Sequence, residues 1–188
     1  MGVQKLAVTS GEDWIARLQN VENDLQASEV TSLRGTHIYA GEFVPQTTTT
    51  GTDTAGVATQ IWVGELRIGS NTLLTGLSYL IGSVGGTDKA IAILYDSAGN
   101  VLANSALAGT TVGTTATMQR LPFVTAYAAG PGLYYVGIST NGTTAKLRTQ
   151  AFGDTNAGVI TGQTFGTLAA ITPPSTFTAS QAPVVMTY

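Results

Sequence analysis

Residues 90–109 are AIAILYDSAGNVLANSALAG, an apolar run, a cluster of turn residues and a second run with strand character. Asp96-Ser97-Ala98-Gly99-Asn100 is a run of turn residues, and it separates two candidate strands, Lys89–Tyr95 and Val101–Leu107, as a hairpin loop does. Asp96 is the side chain expected to hold that turn by bonding to the backbone.

The same pattern continues in both directions. Further candidate strands are Thr36–Phe43, Val57–Ile68, Thr72–Gly82, Thr117–Val124, Gly132–Ser139, Thr143–Ala151 and Val184–Tyr188. Ala129-Gly130-Pro131-Gly132 is a firm break, and Asn141-Gly142 is the strongest short hairpin signal in the chain. Asp88 is expected to serve the Gly85-Gly86-Thr87-Asp88 turn. Residues 46–54, QTTTTGTDT, read as a loose linker, and Pro173-Pro174-Ser175 as a second one before the last strand. Eight or nine short strands with no helical pattern between them predict a mainly β fold, a jelly-roll-like antiparallel β-sandwich spanning 36–188.

Composition points the same way. Hydrophobic residues make up 43% of the 188, but charged residues only 10%, against about 25% in ordinary soluble domains. Such a surface suggests that other protein covers much of it. Net charge is −3, and the eight Lys and Arg are scattered without a basic stripe, which excludes nucleic acid as a direct partner. The absence of Cys removes disulfides and thiolate metal sites. The N-terminus lacks the apolar run of a signal peptide, and no stretch approaches the roughly 20 apolar residues of a membrane span, so no membrane insertion is expected.

Residues 1–35 form a different unit. Ser10-Gly11-Glu12-Asp13 reads as a helix start, and Arg34-Gly35 as its end. Trp14, Leu18, Val21 and Leu25 are spaced 4, 3, 4, the apolar repeat of a coiled-coil seam. With Leu18 and Leu25 at a, Trp14 and Val21 fall at d, and Arg17 and Glu22 take the g and e positions that pair between parallel chains. Ser28 and Ser32 end the seam after about two heptads. Two arrangements fit: one amphipathic helix packed on its own β domain, or a short parallel trimeric coiled coil. In the second, Trp14, Ile15, Leu18, Val21 and Leu25 bury the apolar area for oligomerisation and anchoring, and the low surface charge of the rest favours it.

Little in the sequence suggests catalysis. His37 is the only histidine, no G-x-S-x-G elbow is present, and the Gly-rich stretch 82–87 lacks a Lys. Glu42 and Glu65 are the one carboxylate pair worth weighing for glycoside hydrolysis. The reading is of a non-enzymatic protein without metal or cofactor. Aromatic side chains offer an alternative, a glycan-contacting face using Trp62, Tyr134 and Tyr135. Tyr134 and Tyr135 must point to opposite sides of their strand.

A short N-terminal arm, a brief helical stalk and a Thr/Gly-rich β head resemble small bacteriophage virion proteins of the head-fibre, capsid-decoration and tail-fibre-tip types. Residues 90–109, 118–144 (MQRLPFVTAYAAGPGLYYVGISTNGTT) and the ending TPPSTFTASQAPVVMTY carry the likeness. The resemblance implies a homotrimer located in the virion and made in the host cytoplasm. Its N-terminal segment would attach to other virion proteins such as capsid or portal/tail, while the head projects. It implies, as the alternative, a receptor-binding tip that recognises host-surface carbohydrate.

Overall fold

The computed structural model describes residues 51–84, 86–151, 153 and 155–188; the expected helix and the strand at 36–43 lie outside the described residues. The chain divides into units 1–36 and 37–188. The described residues contain no helix and twelve strands. These are β1 (Thr52–Ala55), β2 (Gln60–Ile68), β3 (Thr72–Leu80), β4 (Lys89–Asp96), β5 (Val101–Asn104), β6 (Thr110–Thr111), β7 (Met118–Ala129), β8 (Gly132–Thr140), β9 (Lys146–Gln150), β10 (Ala157–Thr161), β11 (Ala182–Pro183) and β12 (Val185–Thr187). Every ladder between them is antiparallel.

They form two layers. Layer I has the order β10-β2-β8-β4-β5, with β6 extending β4. Layer II consists of β1-β9-β11 and β12-β3-β7. Its halves are joined by residues 182–187, which leave β9 and continue along β3; Val184 N donates to Arg148 O at 3.0 Å while Leu80 N donates to Val184 O at 2.9 Å. An isolated bridge between Ile81 and Leu147 ties the halves together a second time.

Side-chain alternation explains why the layers stack. From β4, Ala90, Ala92 and Leu94 enter one apolar cluster; Trp62, Leu66 and Ile68 of β2 and Val136 and Ile138 of β8 join them. Layer II supplies Leu74, Leu77, Tyr79, Leu121, Phe123, Leu147 and Val185 to the same cluster, which makes it the filling of a sandwich-like body.

The alternate residues of β4, Ile91, Ile93 and Tyr95, face the other way and are also buried. With Ile61, Val63 and Tyr135 they form a second cluster, covered by Ile171, Phe165 and Leu168 from the strand-free stretch after β10. That stretch is strapped down by Gln163 N to Thr59 O at 3.0 Å and Ile171 N to Gly99 O at 3.0 Å. A strand buried on both faces carries no polar alternation, which is why 90–95 is continuously apolar. Gly99 has φ +87°, and a Cβ there would collide with the Ile171 carbonyl, so the turn and the strap both require glycine.

Three local expectations need correction. Thr52–Ala55 is a strand, not loose linker: Asp53 faces Arg148 across the β1–β9 ladder, and Thr54 Oγ1 lies 2.6 Å from Thr149 Oγ1. Asn141-Gly142 joins no hairpin, because β8 pairs with β2 and β4 while β9 belongs to layer II. Neither residue has a positive φ; instead Asn141 caps β4, its Oδ1 accepting from Lys89 N at 2.6 Å. Finally, β10 occupies residues that gave no strand signal in the sequence.

Candidate functional site

The residues expected to anchor and oligomerise the chain, Trp14, Ile15, Arg17, Leu18, Val21, Glu22 and Leu25, lie outside the described residues, as do His37, Glu42 and Asp154. The three aromatic residues suggested for glycan contact are inside them. Trp62 is 2% exposed and belongs to the inter-layer core, and Tyr135 is 4% exposed in the second cluster. Tyr134 is half-buried and packs on the inter-layer core from the opposite side of β8, as strand alternation requires. Trp62 and Tyr135 therefore present no ring face to a ligand. Sequence pattern could rank the aromatics but could not reveal that the far side of layer I is covered by the 162–175 strap.

Tyr134 is instead paired with another aromatic ring, that of Tyr127. Tyr127, at the end of β7, meets it edge to face with centroids 6.3 Å apart and planes at 72°. Tyr134 Oη donates to Gly130 O at 3.1 Å across the β7–β8 connection. Burial and the neighbouring Tyr134 push the Tyr127 hydroxyl above its ordinary value. Asp96 lies opposite Tyr134 in the β4–β8 ladder, so two half-buried phenols and a carboxylate gather at this end of the body.

Among the described residues the carboxylates are committed to the backbone, to Asn side chains or to ion pairs. Asp96 Oδ1 accepts from Ala98 N at 2.9 Å and Asn100 N at 2.8 Å, and Oδ2 accepts from the Asn100 side chain at 2.9 Å. The Asn100 side-chain and backbone bonds hold this carboxyl below the usual range. Its role in the turn is the one the sequence suggested. Asp88, expected to serve its own turn, reaches across to 142–145: its Oδ2 accepts from Thr144 N and Ala145 N, both at 2.8 Å. Asp53 Oδ1 and Arg148 Nε stand 3.0 Å apart, an ion pair not aligned as a hydrogen bond.

Glu65 is the buried acid, 2% exposed. Its Oε1 takes Arg67 Nε at 2.8 Å and Nη2 at 2.7 Å, and its Oε2 takes Asn156 Nδ2 at 2.8 Å and Asn156 N at 3.3 Å. A carboxylate so surrounded pins the approach to β10 onto β2, and its lone pairs are occupied. Among the described residues no three His, Cys, Asp or Glu side chains converge as a metal site would.

What remains unspent is surface. Leu73 and Val124 are 61% and 71% exposed, the largest values among the bulky apolar side chains, and both lie on the β3–β7 end of layer II. Arg120 of β7 stacks on the Tyr188 ring at 4.6 Å, so the charged end of that strand is already partnered. The signal for this surface was present in the sequence: no charged residue occurs between Arg120 and Lys146.

No protein-family model matches the chain, and neither a curated protein nor a solved structure matches it.

Proposed function

We propose that this chain is a structural component of a bacteriophage virion, a capsid-decoration or head-fibre protein assembled as a homotrimer. In this reading residues 1–35 anchor it to other virion proteins, through a coiled-coil seam of Trp14, Leu18, Val21 and Leu25, and a jelly-roll head of 36–188 faces outward. The observation that carries the proposal is strand order. The eight strands β1–β5 and β7–β9 divide between the layers so that β2-β8-β4-β5 faces β1-β9-β3-β7, with 182–187 inserted between β9 and β3 and β10 added beside β2. This order supports the jelly-roll reading, since the double Greek key of jelly rolls in viral capsid and lectin domains winds in the same way. The described carboxylates, each engaged in holding the chain, favour a scaffold over a catalyst.

Sedimentation of the intact chain tests the proposal. A mass of three subunits is expected, and Leu18→Asp with Leu25→Asp in the intact chain should reduce it to one. A trimer that survives both substitutions removes the seam's role, and an intact chain that is monomeric at high concentration overturns the reading. Electron microscopy of particles carrying the protein would then place it on capsid or tail.

One observation favours the alternative, a fibre tip that recognises host-surface carbohydrate. Tyr127 and Tyr134 form a partly open aromatic pair at one end of the body, beside Asp96. Glycan binding that is lost in Tyr127→Ala would support it.

A further inference from the structure

Asn141-Gly142 stands out in the sequence, and the fold gives it no hairpin to turn. It opens the crossover 141–145, by which the chain leaves β8 in layer I for β9 in layer II. Asn141 is exposed, and it is the one Asn of the chain that Gly follows. With no Cβ on residue 142, no side chain stands between the Asn141 carbonyl carbon and the next backbone nitrogen.

The groups gathered here are those that a reaction at this carbonyl needs. The electrophile is Asn141 Cγ. Its Oδ1 accepts from Lys89 N at 2.6 Å, a short bond that draws electron density from the carbon and stabilises negative charge growing on the oxygen. The nucleophile is Gly142 N, which has no hydrogen-bond partner among the described residues, and the same is true of the leaving group, Asn141 Nδ2. The proton acceptor is Asp88, whose carboxylate lies so close against Gly142 that a Cβ there would collide with it. Its Oδ2 is occupied by Thr144 N and Ala145 N, while its Oδ1 accepts from no described residue.

We infer that Asn141 is a self-modification site, deamidated in the native protein by its own neighbours. Gly142 N attacks Asn141 Cγ, and as the new N–C bond forms Asp88 Oδ1 takes the amide proton and passes it to Nδ2. The Cγ–Nδ2 bond then breaks, ammonia leaves, and a five-membered succinimide remains. Water opens that ring at either carbonyl and releases a proton. One opening leaves an aspartate at position 141; the other leaves an isoaspartate, whose main chain runs through the former side chain. Either product sets a second carboxylate beside Asp88, and the isoaspartate also adds a methylene to the crossover that Asp88 holds at the start of β4. The inference is independent of how the chain assembles.

The test uses the full-length chain, incubated at neutral pH in buffer and in urea, with conversion at Asn141 followed by peptide mapping in a mass spectrometer. Conversion in buffer should be at least as fast as in urea, where the local sequence acts alone. Slower conversion in the folded chain overturns the proposal, because the fold then shields the site. Asp88→Asn keeps an acceptor for Thr144 N and Ala145 N but loses the proton-accepting carboxylate. It should slow conversion severalfold in buffer and leave the rate in urea unchanged. A merely structural Asp88 predicts the opposite sign, since loosening the crossover frees Asn141 to react. Conversion that is unchanged or faster in buffer with Asp88→Asn therefore overturns the mechanism.

Discussion

Replacing Tyr95 by Phe should make the protein more stable. Tyr95 is fully buried between layer I and its strap, and its hydroxyl has no hydrogen-bond partner among the described residues. Burial without compensation also drives that hydroxyl's pKa upward. A buried, unpaired hydroxyl costs about 1–3 kcal/mol on the scale of protein substitutions. Removing the oxygen leaves a void on the order of 10 Å³, worth about 0.2 kcal/mol at about 24 cal/mol per Å³. The net gain is about 1–3 kcal/mol, and each kcal/mol raises the midpoint of thermal unfolding by about 2–4 °C for a domain of this size. Tyr79→Phe is the control, since the Tyr79 hydroxyl donates to Gln119 Oε1 at 3.2 Å; losing that bond should cost about 1 kcal/mol. Urea unfolding at one fixed protein concentration, which removes any contribution from assembly, would read both variants. The same chemical change should thus have opposite signs at two buried tyrosines. Destabilisation by Tyr95→Phe would refute the reasoning, because it would mean that the hydroxyl makes a favourable bond.

Gly142→Ala should destabilise by about 2 kcal/mol, because its Cβ would fall on the Asp88 carboxylate that holds Thr144 N and Ala145 N. Asp88→Ala should cost a similar amount, and the double variant little more than either single one; additive losses in urea unfolding would show that the two act independently. The Asp96 carboxyl should titrate below the usual carboxylate range by NMR, and Asn100→Ala should move it back up; no movement would remove the Asn100 bonds as the cause. Because its folded value is depressed, the stabilisation from this turn is complete above the ordinary value of about 3.9 and disappears as pH falls through the folded one.

The strands that the sequence revealed are those whose stability is local or whose burial is pronounced. The run Ala90–Tyr95 and the Asp96–Asn100 turn could be read at sight, since both faces of β4 are apolar and the turn's bonds lie within five residues. β1 was hidden because Thr and Asp are turn formers in isolation; its strand state comes from Arg148 and Thr149, nearly a hundred residues away. β10 was hidden for a similar reason, being held at Glu65 and Gln181 rather than by its own pattern. Asn141-Gly142 misled because its hairpin preference yields to the jump between layers, and Asn141 serves as a cap instead. For the aromatics, alternation placed Tyr134 and Tyr135 on opposite faces, but it could not say that both faces are covered.

The stretch 182–187 also has a consequence for how the molecule is made. It lies between β9 and β3, yet it is the last part of layer II to emerge from the ribosome. Until it does, the two halves of the layer meet at the Ile81–Leu147 bridge, with a vacant slot beyond it. Contacts that span so much of the chain close late and slowly. Completion of the layer therefore waits on residues 182–187, and a chain cut short before residue 182 has a head whose two inner edges stay open to aggregation.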